Sequence, residues 1–194
     1  MEYQVIIMKE NRIFLPEKWI DNYANELYRY TIVRVKDNGF AEDIVQETFL
    51  SAWRAKETYN GTSSEKNWLY AICKNKIIDH FRKQAGAASI VVGTEEALYF
   101  DEAAHWKRGE TTPKDWNIDY NKKVEAKEFY VALEKCKSKL KDIQQHVFVM
   151  KFMEDMDAPS ICKILNITTA NYWVLIHRCK LHLRSCLEKN WLKL

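Results

Sequence analysis

Chain-breaking residues are scarce: glycine occurs five times and proline three times in 194 residues. With 47% hydrophobic residues, so little punctuation predicts a globular, helix-rich chain. Cysteines number five, an odd count with no close pair, which argues against a disulfide scaffold and for a reducing compartment. No segment approaches the roughly 18 consecutive apolar residues of a membrane span. The opening MEYQVIIMKE has too short an apolar run, and no basic start, for a signal peptide. The expected setting is the cytoplasm. Motifs of catalysis are missing too: no nucleophile elbow, phosphate loop or His-Glu-His metal pattern occurs. No enzyme activity, catalytic residue, metal or cofactor is therefore expected.

The net charge of +3 says little about partners, but its distribution says more. Lys66 to Gln84 carries five cations against one acid, and Asp157 to Leu194 six against two. Between them, Ala85 to Lys123 holds five cations and seven acids. Two basic blocks flanking a mildly acidic spacer point to two contacts with a polyanion.

Helical spacing starts at Trp19 and runs to Lys36, with Trp19, Tyr23, Leu27, Tyr30 and Ile32–Val33 recurring at threes and fours. DNGF, Asp37 to Phe40, breaks it. TYNGTSSE reads as a loop, with Asn60–Gly61 a turn signal and Thr62-x-x-Glu65 a capping box for the helix NWLYAICKNKIIDHFRKQ. Residues 85–123 read as a linker, with Ala-Gly-Ala-Ala, scattered acids, Pro113 and no sustained period. Trp106 and Trp116 are unusual in a pure spacer and point to a part that docks. SIVVG is the one strand-like segment, and helical patterns resume at Val124. The fold class expected is all-α, two small helical domains at 1–84 and 124–194 joined by an irregular linker.

AEDIVQETFLSAWR, Ala41 to Arg54, is amphipathic in an unusual way. At about 100° per residue, Ala41, Ile44, Val45, Thr48, Phe49 and Ala52 share a core side. The opposite side holds Asp43, Gln46, Glu47 and Arg54, with Leu50 in their midst and Trp53 at the border. An apolar anchor with a polar rim is the anatomy of a protein–protein contact, although single exposed leucines are also ordinary.

APSICKILNITTANYWVLIHRCKLHLRSCLEK carries a helix-turn-helix pattern. Pro159 suits a first helical turn, Ile161, Ile164 and Leu165 supply an apolar side, and Asn166 suits a left-handed helix end. Cys162 is small enough for a close helix crossing. Thr168 or Thr169 can cap a second helix, whose buried stripe is Tyr172, Ile176, Cys179, Leu183 and Leu187. Thr169, Ala170, Trp173, Val174, His177, Arg178 and Lys180 are expected to face outward. Adjacent Trp173 and Val174 suit thymine methyl contacts in the major groove. Arg178, Lys180, Arg184 and Lys189 can meet phosphates. An ordinary helical hairpin stays open as the alternative.

These pieces in this order resemble a bacterial RNA polymerase sigma factor of the extracytoplasmic-function (ECF) type, which keeps only regions two and four of the larger family. The resemblance covers nearly all of the chain after the first 18 residues. Its most specific parts are Asp43-x-x-Gln46-Glu47 with Phe49 and Trp53, then Asn75-x-x-x-Asp79-x-x-Arg82. It implies that Asp43, Gln46, Glu47, Leu50 and Trp53 bind the clamp helices of core RNA polymerase. It implies that the loop Lys56–Glu65 and the face of Trp68, Asn75, Lys76, Asp79, Arg82 and Lys83 hold the melted strand at the minus-ten element. A base is read fully once it leaves the stack, and hydrogen-bonding groups beside cations offset that cost. Asp79 is expected to pair with Arg82 or Lys83, or to cap a loop amide. The minus-thirty-five duplex would be met by Thr168, Thr169, Ala170, Asn171, Trp173, Val174, His177, Arg178 and Lys180. Trp173-Val174-Leu175 departs from the Arg-Ser-Arg frequent in the family, which leaves the sequence read there open. Promoter DNA, duplex and melted, and an anti-sigma factor are the further partners implied. The resemblance also threads the linker through polymerase towards the RNA exit channel.

Two rival readings stand beside it. Cys179, His182 and Cys186 lie three and four apart and could bind zinc or sense oxidants, but Cys179 and Cys186 share a stripe with Ile176 and Leu183 and read more simply as core thiols. A stand-alone helix-turn-helix repressor or activator explains the DNA-binding end but not the Leu50 face.

Overall fold

A computed structural model describes residues 6–8, 12–85 and 123–192 of the chain. Trp106, Trp116, the SIVVG stretch and nearly all of the expected linker lie outside the described residues. Among the described residues seven α-helices follow one short hairpin, so the all-α expectation holds. The chain divides into two compact units, Met1–Phe81 and Arg82–Leu194.

The first unit opens with strands β1 (Ile6–Met8) and β2 (Arg12–Phe14), antiparallel with Ile6 opposite Phe14. No strand is expected outside SIVVG, so this hairpin corrects the sequence reading. A 3-10 turn at Pro16–Lys18 leads into α1 (Trp19–Val35), which ends on left-handed Lys36, whose N–H returns to Ile32 O. DNGF does more than break that helix. The Asp37 side chain accepts from Phe40 N at 3.0 Å, so α2 (Asn38–Ala55) starts at Asn38, ahead of the expected Ala41. Ala41, Ile44, Val45, Thr48 and Ala52 are buried as expected, whereas Phe49 is only half-buried. Helix α3 (Glu65–Gln84) buries Leu69, Cys73, Ile77, Ile78 and Phe81.

The Thr62–Glu65 capping box does not form. Ser64 caps α3 instead, its Oγ accepting from Asn67 N at 3.2 Å. Thr62 is already taken: its N–H and hydroxyl both donate to Asn60 Oδ1, at 3.1 and 2.8 Å, in the turn where Gly61 adopts φ 72°.

The second unit comprises α4 (Lys123–Lys137), α5 (Asp142–Phe148), α6 (Ala158–Leu165) and α7 (Thr169–Leu187). π-helical turns at Val149–Met153 and Glu188–Leu192 extend α5 and α7. Helix α7 is central, packed by α4, α5 and α6, over a core that includes Val147, Met150, Ile161, Leu165, Tyr172 and Ile176.

Cys136 of α4 and Cys186 of α7 form a disulfide, with Cα atoms 5.7 Å apart. It sits among Phe129, Ala132, Leu133, Leu183 and Leu187. This corrects the reading of the cysteines as free thiols, Cys186 included. The partners lie 50 residues apart, on different helices, so their spacing carries no trace of the pairing until the fold brings their Cα atoms within bridging distance.

Candidate functional site

Helix α2 exposes the apolar side chains expected on its polar face. Leu50 is 51% exposed and Trp53 46%, and Asp43, Gln46, Glu47 and Arg54 around them are exposed. The apolar patch continues onto α1. A groove of about 490 Å³ beside it has an almost wholly apolar lining that includes Pro16, Trp19, Ile20, Phe49, Leu50 and Trp53. Ile20, 63% exposed, was missed because α1 was read for its core stripe alone. The signal was there: an isoleucine directly after Trp19 lies about 100° off that stripe. Lys56 Nζ stands 3.8 Å from the Trp53 ring centroid and fixes one edge of the patch.

Helix α3 exposes Asn75, Arg82 and Lys83, and half-buries Lys76 and Asp79. Lys76 Nζ lies 3.2 Å from Glu47 Oε2, so a side chain expected at melted DNA meets one expected at polymerase. Such a solvated pair is worth roughly 0–1 kcal/mol, weak enough to exchange partners on binding. Trp68 is half-buried rather than free on this face, its ring 5.1 Å from Tyr59, 5.7 Å from Trp19 and 6.4 Å from Phe14.

Glu65, at the start of α3, accepts from Leu15 N at 3.0 Å. The Tyr23 hydroxyl also donates to it, and burial together with the Glu65 charge pushes the Tyr23 pKa up to about 12. The fold holds the neutral phenol, so Tyr23's stabilisation is whole below its ordinary pKa of 10.0 and is lost as pH rises through about 12. The gap in melting temperature between the natural protein and Tyr23→Phe should therefore close over that alkaline range. A gap that stays constant would contradict this.

The helix-turn-helix closes as the pattern requires. Pro159 lies in the first turn of α6, Asn166 is left-handed at φ 51°, and Ile167 N donates to Cys162 O at 3.0 Å. Thr168 caps α7, its side chain accepting from Asn171 N at 3.2 Å. Thr168, Thr169, Ala170 and Trp173 are exposed, and Asn171, Val174, Arg178 and Lys180 are half-buried. His177 overturns its expectation. It is 8% exposed, because α7 is packed by three helices and the buried arc spans Leu175, Ile176 and His177 together. Burial also lowers the Lys180 pKa. Cys179 Sγ donates to Gln144 O at 3.3 Å, and Cys186 is bonded to Cys136, so the Cys179–His182–Cys186 metal triad cannot form as drawn.

Comparison with known proteins matches residues 19–86 to Sigma-70 region 2 and residues 130–183 to Sigma-70, region 4. A probable RNA polymerase sigma factor of Haemophilus influenzae is 32% identical over 174 residues, 88% of each chain. The ECF RNA polymerase sigma factor SigX of Bacillus subtilis is 27% identical over 169 residues, 87% of this chain and 81% of its own. Among solved structures, the sigma factor RpoE of Bartonella quintana, crystallised with the anti-sigma factor NepR, gives a TM-score of 0.41 at 17% identity, covering 90% of this chain and 97% of its own.

Proposed function

Since this chain belongs to the sigma-70 family, as a sigma factor of the ECF type that acts in transcription initiation, we propose that three surfaces divide its work. Asp43, Gln46, Glu47, Leu50 and Trp53 bind core RNA polymerase. Asn75, Lys76, Asp79, Arg82 and Lys83, with the loop before α3, hold the melted minus-ten strand, and Trp68 supports them from the aromatic cluster. The exposed start of α7, from Thr168 to Trp173, with Val174, Arg178 and Lys180, meets the minus-thirty-five duplex. On this reading 1–84 and 124–194 act as separate contact domains tethered by 85–123. Catalysis belongs to polymerase, and this chain selects the start site. An anti-sigma factor would act by covering these faces.

The observation that carries the reading is the Leu50–Trp53 patch, an exposed apolar anchor ringed by acids and an amide and continued by Ile20 and the groove. The cytoplasm is the proposed compartment because polymerase works there; the cysteine count no longer supports it. Footprinting tests the assignment against a stand-alone repressor. Protection of promoter DNA should require core polymerase, whereas specific protection by this chain alone would favour the repressor.

Arg178→Ala should weaken upstream-duplex binding by the holoenzyme several-fold and lower the slope of log affinity against log salt by about 1, as for one lost phosphate contact. An unchanged affinity and slope would remove Arg178 from the interface.

A further inference from the structure

We propose that the segment from Phe14 to Lys18 is a brace that holds the Tyr59–Glu65 loop ready for melted promoter DNA, with Phe14 and Glu65 as its positioning residues. This deepens, and rests on, the reading of that loop and α3 as the melted-strand surface.

The loop is polar and carries a left-handed glycine, Gly61, at φ 72°, a composition that leaves a surface loop mobile unless it is tied down. It is tied at both ends by residues that precede α1. At the near end Tyr59 is 5% exposed and stacks on Phe14, centroids 4.7 Å apart and planes 13° apart. Phe14 is itself 4% exposed and meets Trp19 edge-on at 5.5 Å. At the far end Glu65 accepts from Leu15 N at 3.0 Å and from the Tyr23 hydroxyl. Inside the loop the Tyr59 hydroxyl donates to Ser63 O at 2.5 Å, and Thr62 closes onto Asn60.

Two strands of three residues are too short to persist alone. Phe14 and Leu15 instead anchor the hairpin's exit to the loop, and the anchoring works in both directions. A loop already shaped before DNA arrives spares the ordering cost of capturing an unstacked base. Pro16 and Trp19 line the Leu50 groove, but Phe14, Leu15 and Glu65 do not, so loss of the Phe14 and Glu65 ties should be felt at melted DNA more than at polymerase.

Full-length Phe14→Ala, Glu65→Ala and Glu65→Gln are the variants, each assayed well below its own melting temperature. In the free protein, amide exchange at residues 60–64 should rise about tenfold or more in Phe14→Ala, while the buried amides of α2 are unchanged. In the holoenzyme, affinity for a fork DNA with a single-stranded minus-ten element should fall about tenfold. The same promoter, mapped by run-off transcription and fully duplex, and core polymerase itself should be bound within about twofold of normal. Glu65→Gln, which keeps one acceptor, should lose less than Glu65→Ala. Unchanged loop exchange would overturn the brace whatever the promoter result. Raised exchange with normal fork affinity would overturn its role in DNA capture, as would a parallel loss of core affinity, the sign of general loosening. A natural holoenzyme with no preference for fork over duplex DNA would instead overturn the melted-strand reading beneath it.

Discussion

Leu50→Asp should lower affinity for core polymerase by at least about 100-fold and leave the fold as it is. The two halves of this expectation come from the same exposure. Leu50 is 51% exposed, so a polar side chain there costs folding within roughly 0.5 kcal/mol. In the proposed complex with polymerase the position becomes the buried centre of a patch. Removing a central anchor costs about 2 kcal/mol or more, and an unpaired carboxylate beside Asp43 and Glu47 adds desolvation and repulsion. Together these exceed about 3 kcal/mol, roughly two decades of affinity. A variant that melts normally and still co-elutes with core polymerase at natural affinity would remove the patch from the interface. Trp53→Ala should act in the same direction with a smaller loss, because Trp53 sits at the border and is held by Lys56.

Loss of the Cys136–Cys186 bond should destabilise the second unit by about 4 kcal/mol, the chain-entropy value for a closed loop of this length, given the sequence separation of 50. The bond joins α4 to α7, the helix proposed to meet the upstream duplex, so the effect should reach upstream DNA binding through stability. Denaturant unfolding with and without a reductant measures it. The Cys136→Ala/Cys186→Ala double variant should unfold like the reduced natural protein, and Leu50-face binding should be untouched. Superimposable curves for oxidised and reduced protein would contradict the expectation. Both cysteines are buried, Cys136 at 0% and Cys186 at 8%, so reduction should be slow until the unit opens.

What could be read from the sequence was whatever a single helix decides for itself. The α2 faces follow from a 3.6-residue period, and the α6–α7 turn follows from Pro159, Asn166 and Thr168, each of which acts within a few residues of its own position. What could not be read depends on a second element. The hairpin has three-residue strands with no period of their own, and Phe14 is placed by an aromatic cluster built from α1, the loop and α3. Thr62 looked like a cap until Asn60 captured it. His177 looked outward on a helix packed on one side, and α7 is packed by three helices. The disulfide is the extreme case, a contact decided wholly by tertiary structure.

The most direct test of the central claim is run-off transcription by purified core RNA polymerase on fragmented DNA from the source organism, with and without this chain. Discrete transcripts that require the chain and vanish with Leu50→Asp are expected, their start sites preceded by two shared elements. No new transcripts, together with specific duplex binding by the chain alone, would contradict it.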